Sequence, residues 1–129
     1  MSSNAHKISI VEKGDYLLVT FPPFESLVRR KQQLTALYDA IDQHPSRRVL
    51  IDSRATRKQV PIVELYDLCI YLVSKFGNLN PKMAVVISPE AAYPDRFGEN
   101  VVRNRGLDAI RFIDDESEAL NWLLSRKSG

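Results

Sequence analysis

The residues best placed to do chemistry are Asp52, Ser53, Arg54, Thr56, Arg57 and Lys58, which follow the apolar run Val49-Leu50-Ile51, together with Ser88, which follows the second apolar run, Met83 to Ile87. Hydroxyls and cations ahead of an apolar helical stretch that starts near Pro61 could hold an anionic group through side chains and helix N-terminal amides. The simpler alternative is that Asp52 and Ser53 tie the loop while Arg54, Arg57 and Lys58 stay solvated. Hydrolytic chemistry is poorly supplied. His6 lies in the N-terminal tail and His44 directly precedes Pro45, at the end of the fold opposite the strand-end loops, so neither can serve Ser53 or Cys69 as a general base. Cys69 is the single cysteine, which excludes an intramolecular disulfide and a thiolate zinc site, and its apolar neighbours predict a buried, inert thiol. No glycine-rich phosphate loop and no His/Cys cluster with metal spacing is present, so no metal, cofactor or catalytic constellation is expected. The acids Asp114, Asp115, Glu116 and Glu118 read as a helix N-terminus, with Asp115 and Glu118 at capping-box spacing.

These residues need a scaffold, and 129 residues suffice for one domain, residues 1–129, with a core that needs no staples. A hydrophobic fraction of 44% with 26% charged residues is that of an ordinary globular chain, which excludes a disordered or fibrous class. The formal charge of +2 is too small, and its basic residues too scattered, to predict nucleic acid as a partner. No apolar run is long enough for a membrane span, and the N-terminus reads as a short frayed tail rather than a leader, so a cytoplasmic protein is expected.

Periodicity supplies the elements. Lys7 to Glu12 alternates as a half-buried strand, Lys13-Gly14-Asp15 is a turn, and Tyr16 to Phe21 is a second strand, stopped by Pro22-Pro23. From Glu25 to Gln43 the positions Leu27, Val28, Leu34, Leu37, Tyr38 and Ile41 form a helical stripe, with Arg29, Arg30, Lys31, Gln32 and Gln33 expected to face solvent. Arg48 to Ser53 is the central strand. The helix that follows, from Pro61 to Phe76, has so little polar surface that it should be the most buried, with Gly77 as a left-handed cap. Lys82 to Ser88 is a second buried strand, a shorter helix spans Pro94 to Arg105 with Gly106 as its stop, and Ala109 to Ile113 is an outer strand. The last helix opens at Asp114 to Glu118 and buries Ala119, Leu120, Leu123 and Leu124. The order β-β-α-β-α-β-α-β-α predicts an α/β fold with a mixed five-stranded sheet, strands two to five parallel and strand one antiparallel at the edge. Ligands of such sheets bind beyond the carboxyl ends of the parallel strands, near residues 21–24, 52–58, 88–90 and 114–115.

The element order, together with Phe97-Gly98, Asn104-Arg105-Gly106, Arg111-Phe112 and Glu118-Ala119-Leu120-Asn121-Trp122-Leu123, resembles the STAS domain and, more closely, the SpoIIAA-like group of small bacterial proteins. The resemblance implies a β-α superhelix and a non-enzymatic role in binding a protein, a nucleotide or a lipid-like ligand. It also implies a phosphorylatable Ser in an Asp-Ser-Ser-Gly motif at the start of the helix after the central strand. Here that stretch reads Gln59-Val60-Pro61-Ile62-Val63, and no hydroxyl is present to carry the phosphate of a kinase-reversed switch. Asp52 and Ser88 are also similar in placement to the phosphoacceptor and hydroxyl of response-regulator receivers. Prolines stand where a receiver needs its acidic pair, and aspartates stand where it needs its lysine. The reading is therefore a STAS-like protein-interaction or regulatory module, with a protein partner or a second copy of the chain as a homodimer. The alternative is a carrier or sensor of a small apolar or anionic ligand at the strand ends. An apolar cavity of a few hundred cubic ångströms would mark the carrier, and a filled core the interaction module. For a homodimer, Tyr16, Phe21 and Phe24 are the expected contact residues.

Overall fold

Val49, Leu50 and Ile51 have no polar atom beyond the backbone, so a strand containing them is stable only with both faces covered. In the computed structural model, which describes residues 7–125, all three are buried and lie at the middle of the sheet. The strands are β1 (Ser9–Glu12), β2 (Leu17–Thr20), β3 (Arg48–Asp52), β4 (Lys82–Val86) and β5 (Ile110–Ile113). They lie in sequential order, β1 antiparallel to β2 and the remaining pairs parallel, as the sequence predicts. Gly14 turns the β1–β2 hairpin at φ +85, and Gly106 ends the third helix at φ +110, both in the region that favours glycine.

The helices are α1 (Leu27–Asp42), α2 (Ile62–Phe76), α3 (Phe97–Asn104) and α4 (Glu116–Leu124). The Ser26 hydroxyl caps α1 by accepting from Arg29 N–H at 3.1 Å, and the Asp115 carboxylate caps α4 by accepting from Glu118 N–H at 2.9 Å. Side-chain alternation then divides the sheet between two cores. Val19, Val49, Ile51 and Met83 pack with Leu34, Leu37 and Ile41 of α1, Cys69 and Phe76 of α2, and Val102 of α3. Leu50, Ala84 and Val86 point the other way, onto Ala119 and Leu123 of α4. One face therefore carries three helices and the other carries one, and Tyr16 and Leu18 pack half-buried at the margin of that second core.

Several expectations are corrected. Arg30 and Gln33 do not face solvent; each is only 6% exposed, because the face of α1 that carries Leu34 and Leu37 is wide enough to include them. Val28, expected in the stripe, is exposed instead. Helix α2 is not the most buried. Only Cys69 and Phe76 are fully inside, while Ile62 and Val63 are 47% and 70% exposed. Gly77 is right-handed, its N–H still bonded to Val73 O, and the left-handed turn falls at Asn80, a residue type that tolerates it, just before Pro81. Before α3, two short 3-10 turns (Pro89–Ala91 and Pro94–Arg96) replace the expected first turn, with Asp95 and Arg96 both left-handed at φ 60 and 54. Phe21 is buried and so offers no dimer surface, while Phe24 is half-buried. Leu124 is 37% exposed. His6, the N-terminal tail through that residue, and the basic tail from residue 126 lie outside the described residues.

Two polar contacts secure the margins. His44, at the end of α1, lies 2.6 Å from the Glu12 carboxylate and is itself 5% exposed, joining helix to β1. At the opposite edge, buried Glu99 of α3 accepts the Phe112 N–H of β5 at 2.7 Å, satisfying a backbone group that the sheet leaves unpaired. Glu99→Ala should lower unfolding free energy by about 1–3 kcal/mol, the cost of an orphaned buried donor. Glu99→Gln, which keeps the accepting oxygen, should recover most of that loss in chemical denaturation.

Candidate functional site

The carboxyl ends of β2 to β5 open into a cavity of about 490 Å³, a size suited to a small-molecule ligand. Its floor is the three-helix face of the sheet, where Ile51 of β3, Val85 of β4 and Phe112 of β5 stand in register. Leu65, Leu68, Cys69 and Leu72 of α2 form one wall. Phe21, Phe24, Arg30 and Leu34, from the β2–α1 connection and α1, form another, and Ala91, Ala92, Tyr93 and Phe97 close the side towards α3. Part of the apolar excess of α2 is thereby explained: Leu65, Leu68 and Leu72 border this space as well as the core.

The walls are held by hydrogen bonds between three loops. Thr56 Oγ1 accepts the Phe24 N–H at 2.9 Å, and Ser88 Oγ donates to Thr56 O at 2.7 Å. Gln59 Nε2 donates to Ala92 O at 2.9 Å, and Tyr93 Oη donates to Val60 O at 2.5 Å. Gly98 belongs to the same wall for a steric reason, since a Cβ there would come within 3.1 Å of the Phe112 ring.

The residues singled out from sequence separate into two groups. Ser53 and Thr56 reach the cavity. Asp52, Arg54, Arg57, Lys58 and Ser88 do not, and most of them brace the rim. Asp52 Oδ1 accepts from the backbone N–H of Arg54 at 3.0 Å, and the Arg54 guanidinium grips both carboxylate oxygens at 2.9 Å. The same guanidinium reaches Glu116 at 2.7 Å, joining the β3 loop to α4. The Arg54 side-chain bond, opposed by partial burial, holds the Asp52 carboxyl below its ordinary value, while Asp52 raises Arg54. Arg57 pairs with Glu90 at 2.8 Å, and Lys58 is exposed. The charges of Arg54 and Arg57 are thus already met by carboxylates of this chain.

Arg30 is the cavity residue that the sequence reading placed wrongly. Its guanidinium carbon lies 4.5 Å from the Phe21 ring centroid and 5.6 Å from that of Phe24. Nη2 donates to Pro22 O at 2.8 Å, whereas Nε has no hydrogen-bond partner among the described residues. With no carboxylate paired to it among the described residues, burial alone pushes the group down to about 10, on the order of 3 kcal/mol against the charged form. The signal was present in the sequence: Arg30 stands four, seven and eleven residues before Leu34, Leu37 and Ile41. Asp114, Glu118 and Arg96 complete the charged lining, all three solvent-exposed.

Cys69 is 1% exposed, and burial pushes its thiol up to about 11, so it is inert as a nucleophile near neutrality, as expected. Among the described residues no group of His, Cys, Asp or Glu could hold a metal ion, and no helix is long and apolar enough to cross a membrane. At pH 8 a bulky anionic disulfide reagent should label Cys69 far more slowly than it labels the unfolded chain, by absorbance of the released thiol. The lowered Asp52 carboxyl contributes stability above its unfolded value near 3.8 that is lost as pH falls through its lower folded value. Thermal melts of wild type should therefore fall more steeply than those of Asp52→Asn below about pH 4. Comparison with protein-family models, curated proteins and solved structures finds no match to this chain.

Proposed function

We propose that this chain is a non-enzymatic binding module of STAS-like architecture, cytoplasmic, that holds a small, largely apolar ligand at the strand ends as a carrier or sensor. The cavity carries this reading. A closed apolar void of 490 Å³ would cost on the order of 10 kcal/mol at about 24 cal/mol per Å³, as much as the whole stability of an ordinary domain. Such a space is sustainable only where solvent or a ligand occupies it. Rim bonds made by Thr56, Ser88, Gln59 and Tyr93 favour a preformed site over a packing accident.

The exposed start of α2 favours a second reading, contact with a protein partner. Ile62, Val63 and Tyr66 are apolar or aromatic and at least 38% exposed, on the helix whose Leu65, Leu68 and Cys69 line the cavity. A sensor would use both features, with the ligand inside and the partner outside. Self-association through this patch is the form of partnership most simply measured, by sedimentation at micromolar concentration.

Freshly purified protein should bind a neutral solvatochromic dye such as Nile red with a blue shift and saturable stoichiometry. Leu68→Trp, which places an indole in the cavity, should weaken that binding about tenfold or more while leaving the far-ultraviolet circular dichroism unchanged. Absence of saturable dye binding to wild type, or binding that Leu68→Trp leaves intact, would remove the carrier reading.

A further inference from the structure

We infer that the ligand of this cavity is an apolar carboxylate, a body of hydrocarbon with one negative charge, and that Arg30 is the side chain that binds its head. The inference rests on the ligand-binding reading above and deepens it. Arg30 is 6% exposed, lines the cavity, and has an Nε that meets no acceptor among the described residues. Its other recorded contacts are the Pro22 carbonyl at 2.8 Å and the faces of Phe21 and Phe24. A buried cation left without a counter-ion is costly, and an anion brought by a ligand removes that cost while gaining charge-assisted hydrogen bonds. The Pro22 carbonyl holds one corner of the guanidinium, so the fork is oriented before any ligand arrives.

Charge balance selects the head group. One guanidinium matches one negative charge, whereas a dianion would leave a net charge in an apolar enclosure. The other cation of the wall, Arg96, is solvent-exposed and lies 3.7 Å from the Glu99 carboxylate, so it is a poor second anchor. Asp114 and Glu118, beyond β5, repel an anion placed beside them. The head therefore belongs at the β2–α1 side and the hydrocarbon runs towards β5 over Ile51, Val85 and Phe112. That path crosses three strand spacings of about 4.8 Å, or roughly 14 Å, room for a medium-length chain.

Isothermal titration of the full chain at pH 7.5 with octanoate, octan-1-ol and octyl phosphate separates the possibilities. Octanoate should bind wild type about tenfold or more tighter than octan-1-ol, and tighter than octyl phosphate. Arg30→Met should lose that advantage, binding octanoate no tighter than octan-1-ol, and Arg30→Lys should keep part of it. If Arg30→Met fails to fold by circular dichroism, the wild-type comparison and Arg30→Lys decide the matter without it. Equal affinity for octanoate and octan-1-ol would overturn the carboxylate assignment and leave the cavity reading standing. Tighter binding of octyl phosphate would overturn the single-charge assignment, and no binding of any of the three by protein that still binds Nile red would overturn the carboxylate assignment and leave the cavity reading standing.

Discussion

Burial of β3 on both faces is the constraint on which the rest of the molecule depends. Val49 and Ile51 belong to one core and Leu50 to the other, and each side chain contributes about 1.5–3 kcal/mol when removed from water. The exposed ion pairs of the same loop, Arg54 with Asp52 and Arg57 with Glu90, contribute far less, because water screens them. Burial therefore decides where β3 lies, and the ion pairs decide only how the chain leaves it. Once β3 is central, β2 and β4 must flank it in parallel, and helices must cover both faces.

The two faces are covered unequally, and the cavity follows from that. Helix α4 suffices for the narrow stripe of Leu50, Ala84 and Val86. On the other face α1, α2 and α3 pack closely near Phe76, Leu79 and Leu107 but leave the carboxyl ends of the strands to long connections. Pro22 and Pro23 stiffen the first of these, and the left-handed Asp95 and Arg96 turn the third before α3 begins. Their cross-bonds hold the rim apart without filling it.

Electrostatics distinguishes the cations that look alike in sequence. Arg54 sits in water with two carboxylates, so its charge is stabilised and structurally committed. Arg30 sits against aromatic rings with a single carbonyl, so its charge is destabilised and available. A cation whose charged form is disfavoured by its surroundings has the most to gain from an anionic ligand.

The sequence by itself determined the order of the elements, the parallel sheet with its antiparallel edge strand, and the end of the sheet where a site would lie. It did so because alternation, helical spacing and turn residues are local properties: Lys13-Gly14-Asp15 makes a hairpin and Asp115 caps α4 whatever else the chain does. Ser53, Thr56, Phe21 and Phe24 were legible at the strand ends for the same reason. Only the tertiary structure decided that Arg54 and Arg57 are consumed by Asp52, Glu116 and Glu90, since those partners come from other segments. Only it showed that one part of α2 lines a space as well as the core. Arg30 is the sharpest case, because its spacing to Leu34, Leu37 and Ile41 put it on the inner face while its charge argued for the outer one. Two local signals of opposite sign cannot settle a residue's burial. The packing of Pro22 and the two phenylalanines around the guanidinium settled it, by giving a charged group enough contact to be held away from water.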